Sequence, residues 1–294
     1  MEDYRVCFDT NQKLAANKFK MGYQLETNKH NWTLHSHKGY EIYFFYEGKA
    51  NYLIENKVYQ IQPGDMLLLN GETIHGVNPE KGVYRRSFIN FLPEFLEGTL
   101  EPAFYERVKA LFNQEGGKLI RWGLEECDRV DTILADMNEE KLREQAGYQA
   151  MITSSLVQLL VKIYRKAALY EGRSSEGIWR QRDNHVERTL TYVNTHYMKD
   201  MTLDQIAVDL HLNKYYMCHY FKEVTGISVK KYLTKRRMEE AKKLLLTSEQ
   251  SIESIAFTIG LNGHVQLSRL FKQYNGTTPV TFRKQHGKAD PNVT

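Results

Sequence analysis

The chain has 294 residues, 41% of them hydrophobic and 26% charged, the composition of a soluble globular chain long enough for about two domains. Three scattered cysteines, Cys7, Cys127 and Cys218, suggest neither a disulfide framework nor a thiolate zinc site and favour a reducing compartment. Residues 179–288 carry 18 Lys plus Arg against 10 Asp plus Glu, and the remainder 22 against 26, so the formal +4 comes from a basic C-terminal third suited to a polyanion.

The opening MEDYRVCFDTNQKL places acids where a signal peptide has a basic region and an apolar run. No segment approaches the about 18 apolar residues of a membrane span, so a cytoplasmic protein without membrane contact is expected.

From about residue 19 to 92 the chain reads as strands. EIYFFYEG, NYLIEN, VYQIQPGDMLLLN and YRRSFINFL are short β-branched and aromatic runs divided by Gly, Pro or Asn. This predicts an antiparallel sandwich or barrel able to hold one small ligand. Within HSHKGYEIYFFYEG, His35, His37 and Glu41 share parity, which places them on one side of an uninterrupted strand, and His75 arrives from a later strand.

This set resembles the cupin metal motif. The first half fits as His-x-His, three residues, Glu41, six residues, Gly48; the second half departs, with Asn70 and Glu72 where Pro and Gly are expected. Three imidazoles and a carboxylate can hold Zn, Fe, Mn or Ni. They can equally line a polar ligand pocket or serve as structural histidines. Tyr23, Trp32, Tyr43 and Tyr52 lie near the motif and could stack on a sugar or fill the core.

A helical extension follows over about 100–169. Its later part, from residue 124, predicts two helices hinged near Gly147, the second with an apolar face of Met151, Ile152, Leu156, Leu159, Leu160, Ile163 and Tyr164. Residues 170–183 are rich in glycine, serine and charge and read as a linker.

The C-terminal third contains a duplication. TLDQIAVDLHLNKYYMCHYFKEVTG (202–226) runs beside SIESIAFTIGLNGHVQLSRLFKQYNG (251–276), matching Ile206-Ala207 with Ile255-Ala256, Leu212-Asn213 with Leu261-Asn262, Phe221-Lys222 with Phe271-Lys272 and Gly226 with Gly276. In each copy Thr202 or Ser251 caps a short helix, a break follows at His211-Leu212 or Gly260-Leu261, and Asn213 or Asn262 caps a second helix ended by the glycine. The apolar face of the second helix is expected at Tyr216, Met217, Tyr220 and Phe221 in one copy and at Leu267, Leu270 and Phe271 in the other. A short helix, a tight break and a capped second helix make a helix-turn-helix. Residues 228–248 form a spacer helix of about 30 Å, close to the about 34 Å of one DNA turn, so two reading helices could occupy successive major grooves.

Residues 184–286 resemble the DNA-binding domain of the AraC/XylS family of transcription regulators, through Ile255-Ala256, Gly260, Arg269, Phe271-Lys272, Gly276, Pro279 and Arg283. Leu261, Leu267 and Phe282 depart from the family's usual aromatics, apolar for apolar or aromatic for aromatic. The resemblance implies a multidomain α+β fold: an N-terminal antiparallel β cupin-like barrel with helical extension (1–169), a linker (170–183), and a C-terminal all-α domain (184–294) of two helix-turn-helix modules, about 202–226 and 251–276, joined by a linker helix.

Base-reading or backbone contacts to double-stranded DNA are expected at Lys214, Tyr215, Cys218, His219 and Lys222 in the first module, and at His264, Val265, Gln266, Ser268, Arg269 and Lys272 in the second. Arg269 can pair with guanine, Gln266 with adenine and Val265 with a thymine methyl. Lys222, Lys272, Arg236 and Arg237 suit phosphates, although the resemblance also allows an internal role for a linker-helix arginine.

The resemblance further implies a small-molecule effector, most often a sugar, in a pocket of His35, His37, Glu41, Tyr43 and His75. Those histidines would be scaffold and lining rather than metal ligands, so neither a cofactor nor catalysis is expected. It also implies dimerisation through the helical region and, for an activator, contact with RNA polymerase. The competing readings are a cupin metalloenzyme, an isomerase or dioxygenase, with a DNA-addressing domain, and an architectural DNA-binder.

Overall fold

The computed structural model describes residues 2–27, 34–170 and 181–286, so Trp32 and most of the expected linker lie outside the described residues. The chain divides into two compact units, residues 7–180 and the remainder, and no helix among the described residues is long and apolar enough to cross a membrane.

A helix that the sequence reading did not anticipate, α1 (Glu2–Asn17), leads into the first unit, which starts at Cys7. It is tied down where Lys20 Nζ donates to Asp9 Oδ2 (3.0 Å) and Thr10 Oγ1 (2.7 Å) and the Lys38 amide to Asn11 Oδ1 (2.9 Å). Strands β1 (Phe19–Thr27), β2 (Tyr40–Glu47), β3 (Ala50–Ile54), β4 (Lys57–Ile61), β5 (Asp65–Asn70), β6 (His75–Pro79) and β7 (Tyr84–Phe91) follow, then α2 (Pro102–Phe112), β8 (Lys118–Arg121), α3 (Leu124–Arg143) and α4 (Tyr148–Tyr170). They form two antiparallel sheets, ordered β1-β7-β2-β5-β8 and β4-β3-β6. The expected barrel is present as two facing sheets not closed by a continuous ladder.

Period-two geometry sorts β2 into two faces. Tyr43 and Phe45 point between the sheets and meet Tyr52, Ile54, Tyr59, Leu67, Leu69 and Val77. Tyr40, Ile42 and Phe44 point outward and are covered by α2, α3 and α4 through Phe112, Val130, Leu134, Leu156, Leu159 and Leu160. A strand buried on both faces has no reason to alternate, which is why YEIYFFYE and DMLLLN read as near-continuous apolar runs.

Within the stretch expected to be helical, β8 is instead a strand paired with the open edge of β5. Its four residues carry too little periodicity to be read alone. What admits it is Gly117, at φ 72°, where a Cβ would lie 2.9 Å from Leu68 O.

The apolar face of α4 is buried within its own unit: Ile152, Leu156, Leu159, Leu160 and Ile163 are at most 3% exposed, and only Met151 faces outward, at 53%. The stripe is therefore spent within its own unit, as a continuous apolar face usually is.

The second unit is helical: α5 (Gln181–His196), α6 (Leu203–Asp209), α7 (Lys214–Thr225), α8 (Val229–Thr247), α9 (Ile252–Thr258), α10 (His264–Asn275) and α11 (Pro279–His286). The duplication is visible bond by bond. Thr202 and Ser251 side chains accept from Gln205 N (3.2 Å) and Ser254 N (3.0 Å). At the break, His211 and Gly260 both take positive φ (54° and 78°), and the next amides, Leu212 and Leu261, donate back to Ala207 O (2.8 Å) and Ala256 O (2.9 Å). Gly226 and Gly276, both at φ 75°, end α7 and α10 by donating to Lys222 O and Lys272 O (2.9 Å each).

At α8, 19 residues and about 28 Å long, buried Val229, Tyr232 and Leu233 lie near the start, and Met238, Ala241 and Leu245 pack into the second module's core with Ile255, Leu267 and Phe271.

Candidate nucleic-acid interface and buried polar cluster

The candidate reading helices are α7 and α10, each held by a single buried stripe: Met217, Phe221 and Val224 in α7, Leu267 and Phe271 in α10. Tyr216, expected on that stripe, is instead 39% exposed and stacked on Tyr220. A Tyr every fourth position satisfies the helical period equally well on a solvated face, so periodicity could not decide it.

The outer face of α7 carries every contact residue predicted for it, with different freedom. Tyr215 is 79% exposed and stacks with His219 at 6.1 Å. Lys214 Nζ is bound to Asp204 at 2.8 Å, and His219 Nδ1 lies 3.9 Å from Glu223. Cys218 is half-buried, and burial pushes its thiol pKa up. Lys222 is exposed.

On α10, His264, Val265, Arg269 and Lys272 are exposed, whereas Gln266 and Ser268 are partly buried. The expected Asn262 cap is not formed. Gly263 occupies the N-cap and provides no side chain, and the Asn262 amide instead donates to Gln266 Oε1 at 3.1 Å. The second copy's extra residue shifts the cap by one, and Gln266, in the first turn, takes over by reaching back. One lone pair of its carbonyl oxygen is thereby used, leaving the other and the two amide donors for a base.

Arg236 and Arg237, assigned above to phosphates, are used internally. Arg237 donates from Nε to Tyr197 O and from Nη2 to Lys199 O, both at 2.8 Å, tying α8 to the chain leaving α5. Arg236 pairs with Glu240 at 3.0 Å and lies over the Tyr197 ring at 4.2 Å. The carbonyls beyond a helix end lack intrahelical donors, and a guanidinium fork satisfies two at once.

In the first unit the strand parity brings the predicted polar set together, though not on one strand. His35 and His37 lie before β2, and His35 is positioned by an isolated bridge to His75, with amide-to-carbonyl bonds of 2.7 and 2.9 Å in the two directions. Ligating atoms of His35, His37, Glu41 and His75 all lie within 4.8 Å of one another.

Glu41 is the centre. Its Oε2 is 2.8 Å from His37 Nε2, 3.6 Å from His75 Nε2 and accepts from Asn90 Nδ2 at 2.7 Å, while Oε1 accepts from Tyr52 OH at 3.0 Å. Burial pushes its carboxyl pKa up, but the His37 and His75 imidazoles beside it hold it well below the usual range.

Tyr43, expected in the same pocket, lies in the apolar interior beside Tyr52, its hydroxyl bonded to that of Tyr84. Tyr23 lies on the other face of its sheet and donates to Asp131 of α3 at 3.2 Å; burial and the neighbouring Asp131 push its phenol up to about 12. The sequence reading missed Asn90 and Arg86. Asn90 faces Glu41 across the β2–β7 ladder, a register that only the pairing reveals, and Arg86 faces Phe45 with burial lowering its pKa.

Two domain families match the chain: one described as an AraC-like ligand binding domain, over residues 22–160, and one described as a helix-turn-helix domain, over residues 198–285. The Msm operon regulatory protein of Streptococcus mutans is 23% identical over 248 residues, 84% of either chain. The arabinose operon regulatory protein of Escherichia coli is 25% identical over 261 residues, 84% of this chain and 80% of that one. The raffinose operon transcriptional regulatory protein of Pediococcus pentosaceus is 35% identical over 98 residues, 33% of this chain and 35% of that one. Two further curated relatives are likewise spanned over only 34% and 32% of their length.

Proposed function

This chain belongs to the AraC family of transcription regulators, and we propose that a small carbohydrate binding in the first unit changes how its two helix-turn-helix modules engage DNA. The observation that carries the effector reading is the polar group of His35, His37, Glu41, His75, Tyr52 and Asn90 set into an otherwise apolar interior. Burying such groups costs stability that apolar packing would not, so their retention is explained by a ligand that uses them. A sugar suits the set: its hydroxyls donate to a carboxylate and accept from an amide, and its apolar face stacks on Tyr52. The arabinose and raffinose operon regulators among the relatives point the same way. His35, His37, Glu41 and His75 are the proposed contacts, with Tyr43 supporting Tyr52 from behind.

DNA contacts are assigned to the exposed faces of α7 and α10. Arg269, Val265 and Gln266 would read bases, and Lys222 and Lys272 would hold phosphates at equivalent positions of the two modules. A homodimer belongs to the proposal, with its contact on a surface other than the α4 stripe, as do contact with RNA polymerase where the protein activates and residence in the cytoplasm. The two matched families are regulator modules, which leaves the metalloenzyme reading without support.

The test is selection of genomic fragments by the full-length protein at near-physiological salt, followed by footprinting with and without arabinose, raffinose and related sugars. Two protected patches about one helical turn apart, altered by one sugar, are expected. Binding that vanishes as salt rises, with no enriched site, would overturn the DNA assignment. Footprints and calorimetry that no sugar changes would overturn the effector class.

A further inference from the structure

The four residues grouped around Glu41 leave a chemical account unclosed. His37 Nδ1 lies 2.9 Å from Lys38 O and His75 Nδ1 lies 2.7 Å from Thr73 O. A carbonyl only accepts, so both Nδ1 atoms donate, and Nε2 is the atom that each ring turns to the centre of the group. Both Nε2 atoms face Glu41 Oε2, at 2.8 and 3.6 Å.

Asn90 Nδ2 is a donor aimed into the group, 2.7 Å from Glu41 Oε2 and 3.1 Å from His37 Nε2. It does not serve His75, whose Nε2 is fully buried without a hydrogen-bond partner. His35 closes the group from the fourth side, its ring 4.3 Å from that of His75. Four ligating atoms converging around an unpartnered buried imidazole nitrogen are an arrangement that a metal ion would complete.

The geometry points to a divalent first-row transition-metal ion held by His35, His37, Glu41 and His75. The donor set, three imidazoles and a carboxylate, suits Zn, Ni, Co, Mn or Fe(II) and disfavours Ca and Mg, which take oxygen. Distances permit it: two atoms each about 2.1 Å from one ion lie at most about 4.2 Å apart, and the four ligating atoms lie within 4.8 Å, so small side-chain movements close the site. The surroundings are those of a metal site as well. Backbone carbonyls fix the two Nδ1–H groups, and Tyr52 occupies Glu41 Oε1 at 3.0 Å, orienting the carboxylate so that Oε2 faces the centre.

The ion would join the segment before β2 to β6, and would keep one or two coordination positions open to adjacent hydroxyl or carboxylate oxygens of an effector. The inference replaces the expectation of scaffold histidines without a metal. Only the effector clause rests on the carbohydrate proposal.

The full-length chain, stripped with a chelator and freed of it, is loaded separately with Zn, Co, Ni, Mn and Fe(II), passed through gel filtration, and its metal content measured. About one ion per chain is expected for at least one metal. Bound Co(II) should give ligand-field bands without a thiolate charge-transfer band. His37→Ala with His75→Ala should lower retained metal at least about tenfold, whereas His264→Ala, on an exposed helix of the other unit, should leave it unchanged.

Where the double variant fails to fold, the Co(II) spectrum of the unmodified chain decides, and a thiolate band overturns the assignment. Retention below about a tenth of an equivalent for every ion overturns it too, as does a folded double variant that keeps its metal. Sugar binding by metal-free chain would leave the effector proposal standing while separating it from the ion.

Discussion

Replacing Gly260 by alanine should weaken the junction between the two helix-turn-helix modules. Gly260 sits at φ 78°, where a Cβ would lie 2.7 Å from Met198 O and 2.8 Å from Arg237 Nη2. The left-handed backbone alone costs a non-glycine residue about 1–2 kcal/mol. Relieving the close approach moves the guanidinium that bonds Tyr197 O and Lys199 O at 2.8 Å each. Partial loss of those charge-assisted bonds, worth about 1.5–3 kcal/mol each, brings the total to about 2–4 kcal/mol.

His211, the corresponding residue of the first module, supplies the control. It already carries a side chain at φ 54° and is exposed, so His211→Ala should change stability by under about 0.5 kcal/mol. The assay is native-state hydrogen exchange of the α8 and α9 amides, which isolates the C-terminal unit. Because Arg237 lies beside the new methyl, Gly260→Ala with Arg237→Ala should cost less than the sum of the two alone. A Gly260→Ala effect no larger than that of His211→Ala, or strict additivity with Arg237→Ala, would refute the reasoning.

Arg269→Ala should cost about 1–3 kcal/mol at one base position and relax preference there, while Lys272→Ala should weaken all sites alike and reduce the salt slope by about 1; equal loss at every site from Arg269→Ala would sink the assignment. Arg237→Ala should instead lower stability by about 1.5–3 kcal/mol and leave the salt dependence of DNA binding intact, as measured by urea unfolding beside titrations at several salt concentrations. Leu159→Ala removes a fully buried side chain facing the sheet and should destabilise the first unit by about 2–5 kcal/mol in thermal unfolding. The hydrogen bond from Lys166, with that from the Gly123 amide, holds the Glu126 carboxyl below its usual range. A depressed folded pKa gives stability that is present above the unfolded value near 4.5 and lost as pH falls through the lower folded value. Glu126→Gln should therefore flatten the acid limb of the stability curve, and an unchanged limb would count against the pair.

The duplicated modules were legible because everything that makes them is local. Thr202 and Ser251 cap from within four residues, Gly226 and Gly276 permit the left-handed exit, and the buried positions repeat on the helical period. Two local readings failed: Tyr216 lies on a solvated face, and the Asn262 cap was lost to a single inserted residue that handed the role to Gln266. In the first unit the strands and the four-residue polar set were likewise readable, because parity and turn residues are properties of the chain itself.

What the tertiary structure alone decided is everything that depends on which segments meet. Asn90 becomes a partner of Glu41 only through the β2–β7 register, and β8 becomes a strand only because β5 offers it an edge. The stripe on α4 is spent on the sheet rather than on a second chain, and Arg236 and Arg237 are drawn inward by a helix end some forty residues away in sequence. Periodicity states that a face will be buried or a charge exposed, but it carries no information about the partner. Pairing between distant segments is set by the collective packing of the whole unit, and that is where the roles of Asn90, β8, the α4 stripe, Arg236 and Arg237 were determined.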